Sequence, residues 1–110
     1  MSDDTANLQA NVAAASTGNV LEPPQANWWL YLLACRDGRT YIGITLNVAT
    51  RFQTHAAGKG AKFTRGNPPL SVLGAQPFPD KSAALQAEYA LKQLDKTAKL
   101  HWATQWPHSQ

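Results

Sequence analysis

Two tyrosines ten residues apart, Tyr31 and Tyr41, are followed after ten more by Arg51, then by His55 one helical turn on, and finally by a lone carboxylate, Glu88. A phenol can orient a water molecule and, where neighbouring cations favour phenolate, take its proton; free tyrosine titrates near ~10, so that help is needed. An arginine fork can grip an anionic group in two places while its charge opposes developing negative charge. One carboxylate can anchor a single Mg²⁺, a small hard cation that favours oxygen ligands and keeps most of its water. An activated water, positive charge beside non-bridging oxygens and help for a departing alkoxide are together what phosphodiester hydrolysis requires.

The same residues have plainer readings. Arg51 fits a solvated helix residue, and His55 a boundary residue hydrogen-bonded to backbone. Glu88 stands one turn before Lys92, which makes a surface ion pair worth only ~0.2–0.5 kcal/mol.

The elements that must position the set begin at residues 28–45, WWLYLLACRDGRTYIGIT. Two apolar runs flank Arg36-Asp37-Gly38, and an Asp-Gly step between such runs signals a hairpin. A two-residue loop would put the two tyrosines on opposite faces. A three-residue loop closed by Cys35 and Arg39, with Gly38 left-handed, sets Tyr41 opposite Leu33 and Tyr31 opposite Gly43, so that both hydroxyls share a face. The other face then reads Trp28, Leu30, Leu32, Ala34, Ile42 and Ile44, a continuous apolar surface for helices to cover. The odd-numbered face, with Trp29, Tyr31, Tyr41, Gly43 and Thr45, is expected to be partly open.

Downstream, Asn47 is the expected N-cap of a helix over Val48 to Ala57 stopped by Gly58, with Val48, Phe52 and Ala56 as its buried stripe. Residues 58–69, GKGAKFTRGNPP, carry too many breakers for regular structure. Lys59, Lys62 and Arg65 alternate there with glycines and Thr64, in a loop able to follow a sugar-phosphate backbone. It is not a Walker loop, since the GKT or GKS ending is absent. Phe63 either stacks on a base or packs on the domain edge.

A third strand is expected over Leu70 to Gln76, with a bulge at Gly74 and an end at Pro77 and Pro79. Asp80 caps a helix to about Asp95, with Ala84, Ala87, Leu91 and Leu94, extended by Leu85, as its stripe. A last helix over Lys96 to Trp106, with Thr97 as an alternative cap, sends Leu100 and Trp102 or Trp106 back to the core.

Composition bounds the rest. The 110 residues suffice for one domain, and Cys35 alone offers neither a disulfide framework nor a CxxC metal site. No apolar run is long enough to span a bilayer, and the acidic start lacks the form of a secretory signal, so no membrane partner and a cytoplasmic location are expected. Residues 1–27 end in Pro23-Pro24 and read as a flexible tail. They carry three acids and no lysine or arginine, a net −3; the remainder sets all ten Lys and Arg against four acids, a net +6. Arg36, Arg39, Arg51, Lys59, Lys62 and Arg65 fall in one stretch, the distribution of a surface that faces phosphate. The bland alternative is a basic surface with no partner.

Residues 28–102 resemble the GIY-YIG nuclease family, above all its small stand-alone bacterial branch. Trp29-Leu30-Tyr31 is a degenerate first motif and Tyr41-Ile42-Gly43 an intact second. The tyrosine and arginine spacing looks like the excision-repair nuclease domain, and GKGAKFTRG with SAALQAEYALKQL is similar to the bacterial branch. The resemblance implies an α+β fold, a small central three-stranded antiparallel sheet flanked by helices, over residues 28–106 with 107–110 as a C-terminal tail.

It further implies an endonuclease of DNA repair or processing that leaves a 5′-phosphate and a 3′-hydroxyl. In that scheme Tyr41 is the general base and Tyr31 orients water or phosphate. Arg51 stabilises the transition state, and Glu88 binds one Mg²⁺, with Mn²⁺ as a substitute. His55, a branch feature, relays a proton or contacts phosphate. The expected nucleic-acid contacts are Arg39, Lys59, Lys62, Phe63, Thr64 and Arg65, on DNA that is branched, nicked or single-stranded. A non-catalytic nucleic-acid-binding module of the same fold is the alternative. Two features depart from the family: the first motif keeps only its tyrosine, and Leu100 stands where many members have an asparagine. Without the appended domains of larger relatives, the chain is expected to act with low specificity, to rely on a protein partner, or to read DNA by shape.

Overall fold

The structure, a computed structural model, describes residues 27–108. The order of elements is β1 (Trp28–Cys35), β2 (Thr40–Thr45), α1 (Val48–Ala56), α2 (Lys62–Arg65), β3 (Pro69–Phe78), α3 (Lys81–Lys92) and α4 (Lys96–Gln105). The strands form one antiparallel sheet in the order β2-β1-β3, the expected small sheet flanked by helices. Most of the tail expected over residues 1–27 lies outside the described residues, as do the last two of residues 107–110. Among the described residues no helix is long and apolar enough to cross a membrane.

The hairpin closes as its turn chemistry requires. The Cys35 amide donates to the Arg39 carbonyl at 2.9 Å, and Gly38 takes φ +90°, where a Cβ would be strained. Tyr31 therefore pairs with Gly43 and Leu33 with Tyr41. On the even-numbered face Leu30, Leu32 and Ile42 pack with Leu91 of α3 and Ala103 of α4. Each large side chain so buried contributes about 1.5–3 kcal/mol. Gly74 lets α4 approach, since a Cβ there would lie 2.9 Å from the Ala103 Cα. The strand irregularity falls beside it, with a register shift between Leu32 and Leu33.

The odd-numbered face is not open. Tyr31, Leu33, Val48, Val72 and Ala75 form a second core there, with Trp29, Tyr41 and Phe52 packed against it. The sheet is covered on both sides because α1 folds back across it directly after β2.

Other expectations shift for identifiable reasons. On α1 it is His55 that is buried and Ala56 that is exposed, because the inward stripe runs through position 55. Residues 58–69 contain the helical turn α2, closed by the Thr64 and Arg65 amides on the Ala61 carbonyl at 3.0 and 3.1 Å. β3 runs on through Pro77 to Phe78, which its edge position permits, since an edge strand can spare one ladder donor.

α3 stops at Lys92, leaving Asp95 free to cap α4 by accepting from the Ala98 amide at 2.9 Å. Leu85 and Leu94 are consequently exposed, as are Leu100 and Trp106. Trp102 alone of the α4 aromatics reaches inward, donating from Nε1 to Gln76 Oε1 at 3.2 Å.

Candidate active site

β1 and β2 stand the two phenols on the α1 side of the sheet, ring centroids 6.4 Å apart. Gly43 makes the arrangement possible: a Cβ on that residue would overlap the Tyr31 hydroxyl. Asn47 starts α1 at once by accepting from the Thr50 amide at 2.9 Å. The helix therefore packs across the sheet toward β3, with the His55 ring 6.1 Å from that of Tyr31 and Arg51 one turn before it.

His55 is fully buried, with Nε2 3.1 Å from the Tyr31 hydroxyl and Nδ1 2.7 Å from Thr64 Oγ1. Burial pushes its pKa down, and the Arg51 charge pushes the same way. Tyr31 is 2% exposed, and burial drives its phenol up to about 12; the Arg51 guanidinium works in the opposite sense, while Tyr41 and Glu88 add to the rise. Both groups are thus neutral near pH 7.

Tyr41 is half-buried, its ring 5.0 Å from His55 and stacked at 5.9 Å on Phe63. The Arg39 guanidinium sits 4.7 Å from the Phe63 centroid and bonds Asp37 at 2.7 Å. Asp37 in turn accepts from the Asn67 side chain at 2.7 Å, while its amide donates to Asn67 Oδ1 at 3.0 Å. The hairpin tip is in this way clamped to the basic loop, and Phe63 packs on the domain edge.

Glu88 projects from α3, which packs on both β1 and β2. Its side chain, 18% exposed, is paired with Lys92 at 3.2 Å, the surface pair read from the spacing. Among the described residues no group of three or more His, Cys, Asp or Glu could hold a metal ion. A single carboxylate as donor fits a cation that keeps most of its water and binds a substrate phosphate; it would not fit zinc. An open groove lies at α1. That groove, about 450 Å³, runs past Arg51 between Trp28, Ile44, Thr45, Thr50 and Thr54.

Of the expected nucleic-acid contacts, Lys59, Lys62, Arg65 and Arg39 are exposed. Thr64 is not among them: it is fully buried, its hydroxyl committed to His55 and to the Ala61 carbonyl, because the helical turn α2 points it inward. Leu100 is 37% exposed on α4.

Three residues of the site carried no role in the sequence reading. Asn67 and Asp37 form the clamp, and Gly60 gives His55 its space, since a Cβ on residue 60 would overlap Nδ1. The two glycines bracketing Lys59 were the available signal for Gly60.

A family model described as the GIY-YIG catalytic domain matches residues 27–101. A UPF0213 protein of Xanthomonas campestris pv. campestris (strain 8004) is 52% identical over 75 residues, 68% of this chain and 74% of its own length. A UPF0213 protein of Cupriavidus pinatubonensis is 53% identical over 76 residues, 69% of this chain and 84% of its own. The solution NMR structure of a UPF0213 protein from Bacillus halodurans is similar at 40% identity, covering 71% of this chain and 83% of that one, with a TM-score of 0.46.

Proposed function

The chain belongs to the GIY-YIG family, and on that premise we propose that it is a DNA-binding endonuclease that hydrolyses phosphodiester bonds at the Tyr41–Arg51–Glu88 site. The observation that carries the reading is the placing of the two phenols on the α1 side of the sheet, ring centroids 6.4 Å apart, with His55 3.1 Å from the Tyr31 hydroxyl and Arg51 one turn before it on α1.

The roles divide by exposure. Arg51 lines the groove and takes the non-bridging oxygens of the phosphate. Tyr41, the phenol that reaches solvent, accepts the proton of the attacking water. Tyr31 and His55, both buried, hold Arg51 and the Tyr41 ring in place. Lys59, Lys62 and Arg65 dock the strand through its phosphates. Glu88 would hold one Mg²⁺, or Mn²⁺ in its stead, which when bound supplies positive charge against the phosphate and the departing 3′ oxygen. Lys92 must first release the carboxylate.

The test is digestion of single-stranded, duplex, nicked and branched DNA with Mg²⁺, Mn²⁺ or EDTA, comparing the full chain with Glu88→Ala and Tyr41→Phe. Metal-dependent cleavage lost in both variants is expected; undiminished cleavage by Glu88→Ala would remove the metal role.

A second reading is favoured by a specific observation. The pairing of Glu88 with Lys92 and the enclosure of Tyr31 also suit a module that binds nucleic acid without cutting it. Salt-dependent DNA binding, indifferent to Glu88→Ala and without cleavage in any metal, would establish that reading instead.

A further inference from the structure

On the α1 side of the sheet, buried polar groups stand in single file, and their donor inventory fixes which way each one points. The Thr64 hydroxyl lies 2.9 Å from the Ala61 carbonyl. A carbonyl only accepts, so that bond uses the single hydroxyl proton of Thr64. Thr64 Oγ1 is then left as an acceptor toward His55 Nδ1 at 2.7 Å, and Nδ1 must carry the imidazole proton. His55 is fully buried and neutral, so Nε2 is bare and accepts from the Tyr31 hydroxyl across 3.1 Å.

The far end of the file agrees. Arg51 can only donate, and its charge acts on the Tyr31 phenol, so a phenol proton directed toward His55 leaves the oxygen facing the guanidinium as an acceptor. From the Tyr31 hydroxyl to the Ala61 carbonyl, which cannot donate, each proton in the file is used once. Reversing one link leaves two protons facing each other or two lone pairs facing each other, and in a buried setting either is costly.

We propose that Thr64 is a positioning residue for the site: its hydroxyl selects the Nδ1–H tautomer of His55, which turns the Tyr31 proton away from Arg51 and leaves the phenol oxygen to hold the guanidinium in place. The inference rests on the reading of Arg51 as the phosphate ligand. It also ties strand docking to chemistry, because Thr64 shares the four-residue turn α2 with Lys62 and Arg65, both exposed. Gly60 belongs to the same device, since any side chain there would force the imidazole off Thr64.

The experiment is long-range ¹H–¹⁵N NMR of the His55 ring in the full chain near neutral pH, for wild type, Thr64→Val and Thr64→Ser, with DNA cleavage and metal-free DNA binding measured on the same samples. Wild type and Thr64→Ser should show the Nδ1–H tautomer. Thr64→Val should move the ring toward Nε2–H and lower kcat by about 10²-fold, the lower end of what general acid–base alignment contributes, with DNA affinity unchanged within about twofold. An Nε2–H ring in wild type overturns the proposal. So does a Thr64→Val protein that keeps the Nδ1–H tautomer, whether its turnover survives, which shows that Thr64 is dispensable, or falls, which shows that it acts by packing. If Thr64→Val fails to fold, the wild-type tautomer and the Thr64→Ser comparison still decide. If wild type cleaves nothing, the nuclease reading fails while the tautomer measurement still settles the direction of the file.

Discussion

Gly43 and Tyr31 face each other across the β1–β2 ladder so closely that a methyl group on residue 43 would occupy the space of the phenol oxygen and lie 2.7 Å from Cζ. Gly43→Ala must therefore displace Tyr31 from Arg51 and His55 or push the strands apart. Overpacking of this kind costs about 1–3 kcal/mol, so the thermal midpoint should fall and cleavage should fall with it. Gly66→Ala, where a Cβ meets nothing within 4 Å, is the comparison that should leave both unchanged. Equal midpoints for the two variants would contradict the packing role.

Removing the acid should separate chemistry from binding. Glu88→Gln keeps the shape of the side chain and discards its charge, so metal-dependent cleavage should drop by about 10²-fold or more while metal-free DNA affinity holds. Lys92→Ala, which frees the carboxylate from its 3.2 Å partner, should lower the Mg²⁺ concentration needed for half-maximal cleavage. A metal titration of the two variants beside wild type checks both outcomes.

The basic loop should act through phosphate alone. Lys62→Ala and Arg65→Ala should each weaken DNA binding and reduce the slope of log affinity against log salt by about 0.9 for duplex or about 0.7 for single strands. Arg39→Ala should change that slope less, because its charge is already engaged by Asp37 at 2.7 Å. Affinities measured across a salt series distinguish these cases, and equal slopes for all three would place Arg39 on the phosphate as well.

The clamp at the hairpin tip carries its own expectation. Asn67 is 5% exposed and bonded twice to Asp37, so Asn67→Ala removes both of these links between the hairpin tip and the loop while Asp37 keeps Arg39. A modest loss of stability follows, with the loop loosened from the tip. Urea unfolding should show it, and Phe63, released from its place near Tyr41, should show faster exchange of the neighbouring amides.

Two titrations should mark the stability curve. His55 is held below its ordinary value of about 6.5 by burial and then by Arg51. Between its folded pKa and about 6.5 the unfolded chain binds the extra proton, so stability rises with pH through that window and is complete above it. Tyr31 behaves oppositely: from about 10 to about 12 the unfolded phenol has lost a proton that the folded one keeps, so stability declines as pH rises. Tyr31→Phe should flatten the alkaline limb. An absorbance titration showing all three tyrosines ionising near 10 would contradict it.

The two-residue and three-residue readings of the Asp37-Gly38 turn differed in whether the phenols share a face, and the apolar run Leu30, Leu32, Ile42 already decided between them. Period-two patterning settles register wherever one face is buried, so the hairpin, the caps Asn47 and Asp80 and the company of Tyr31 with Tyr41 were legible locally. Pattern failed where a second surface intervened. The odd face looked half-open because tyrosine and threonine are ambiguous residues, and nothing in residues 28–45 announces that α1 will cover them. His55 looked like a boundary residue because its partners stand 24 and 9 positions away. Thr64 looked like a phosphate ligand because cations flank it.

What the chain order alone determined, then, was local: where strands and helices begin, which residues share a strand face, and which titratable types are available. What only the folded molecule decided was which of those residues are withdrawn from water and aimed at one another. Hydrogen-bond direction and burial depend on contacts across the sheet. Thr64 and Arg65 are neighbours in sequence, yet the turn of one short helix leaves the charge outside in solvent and puts the hydroxyl inside against His55.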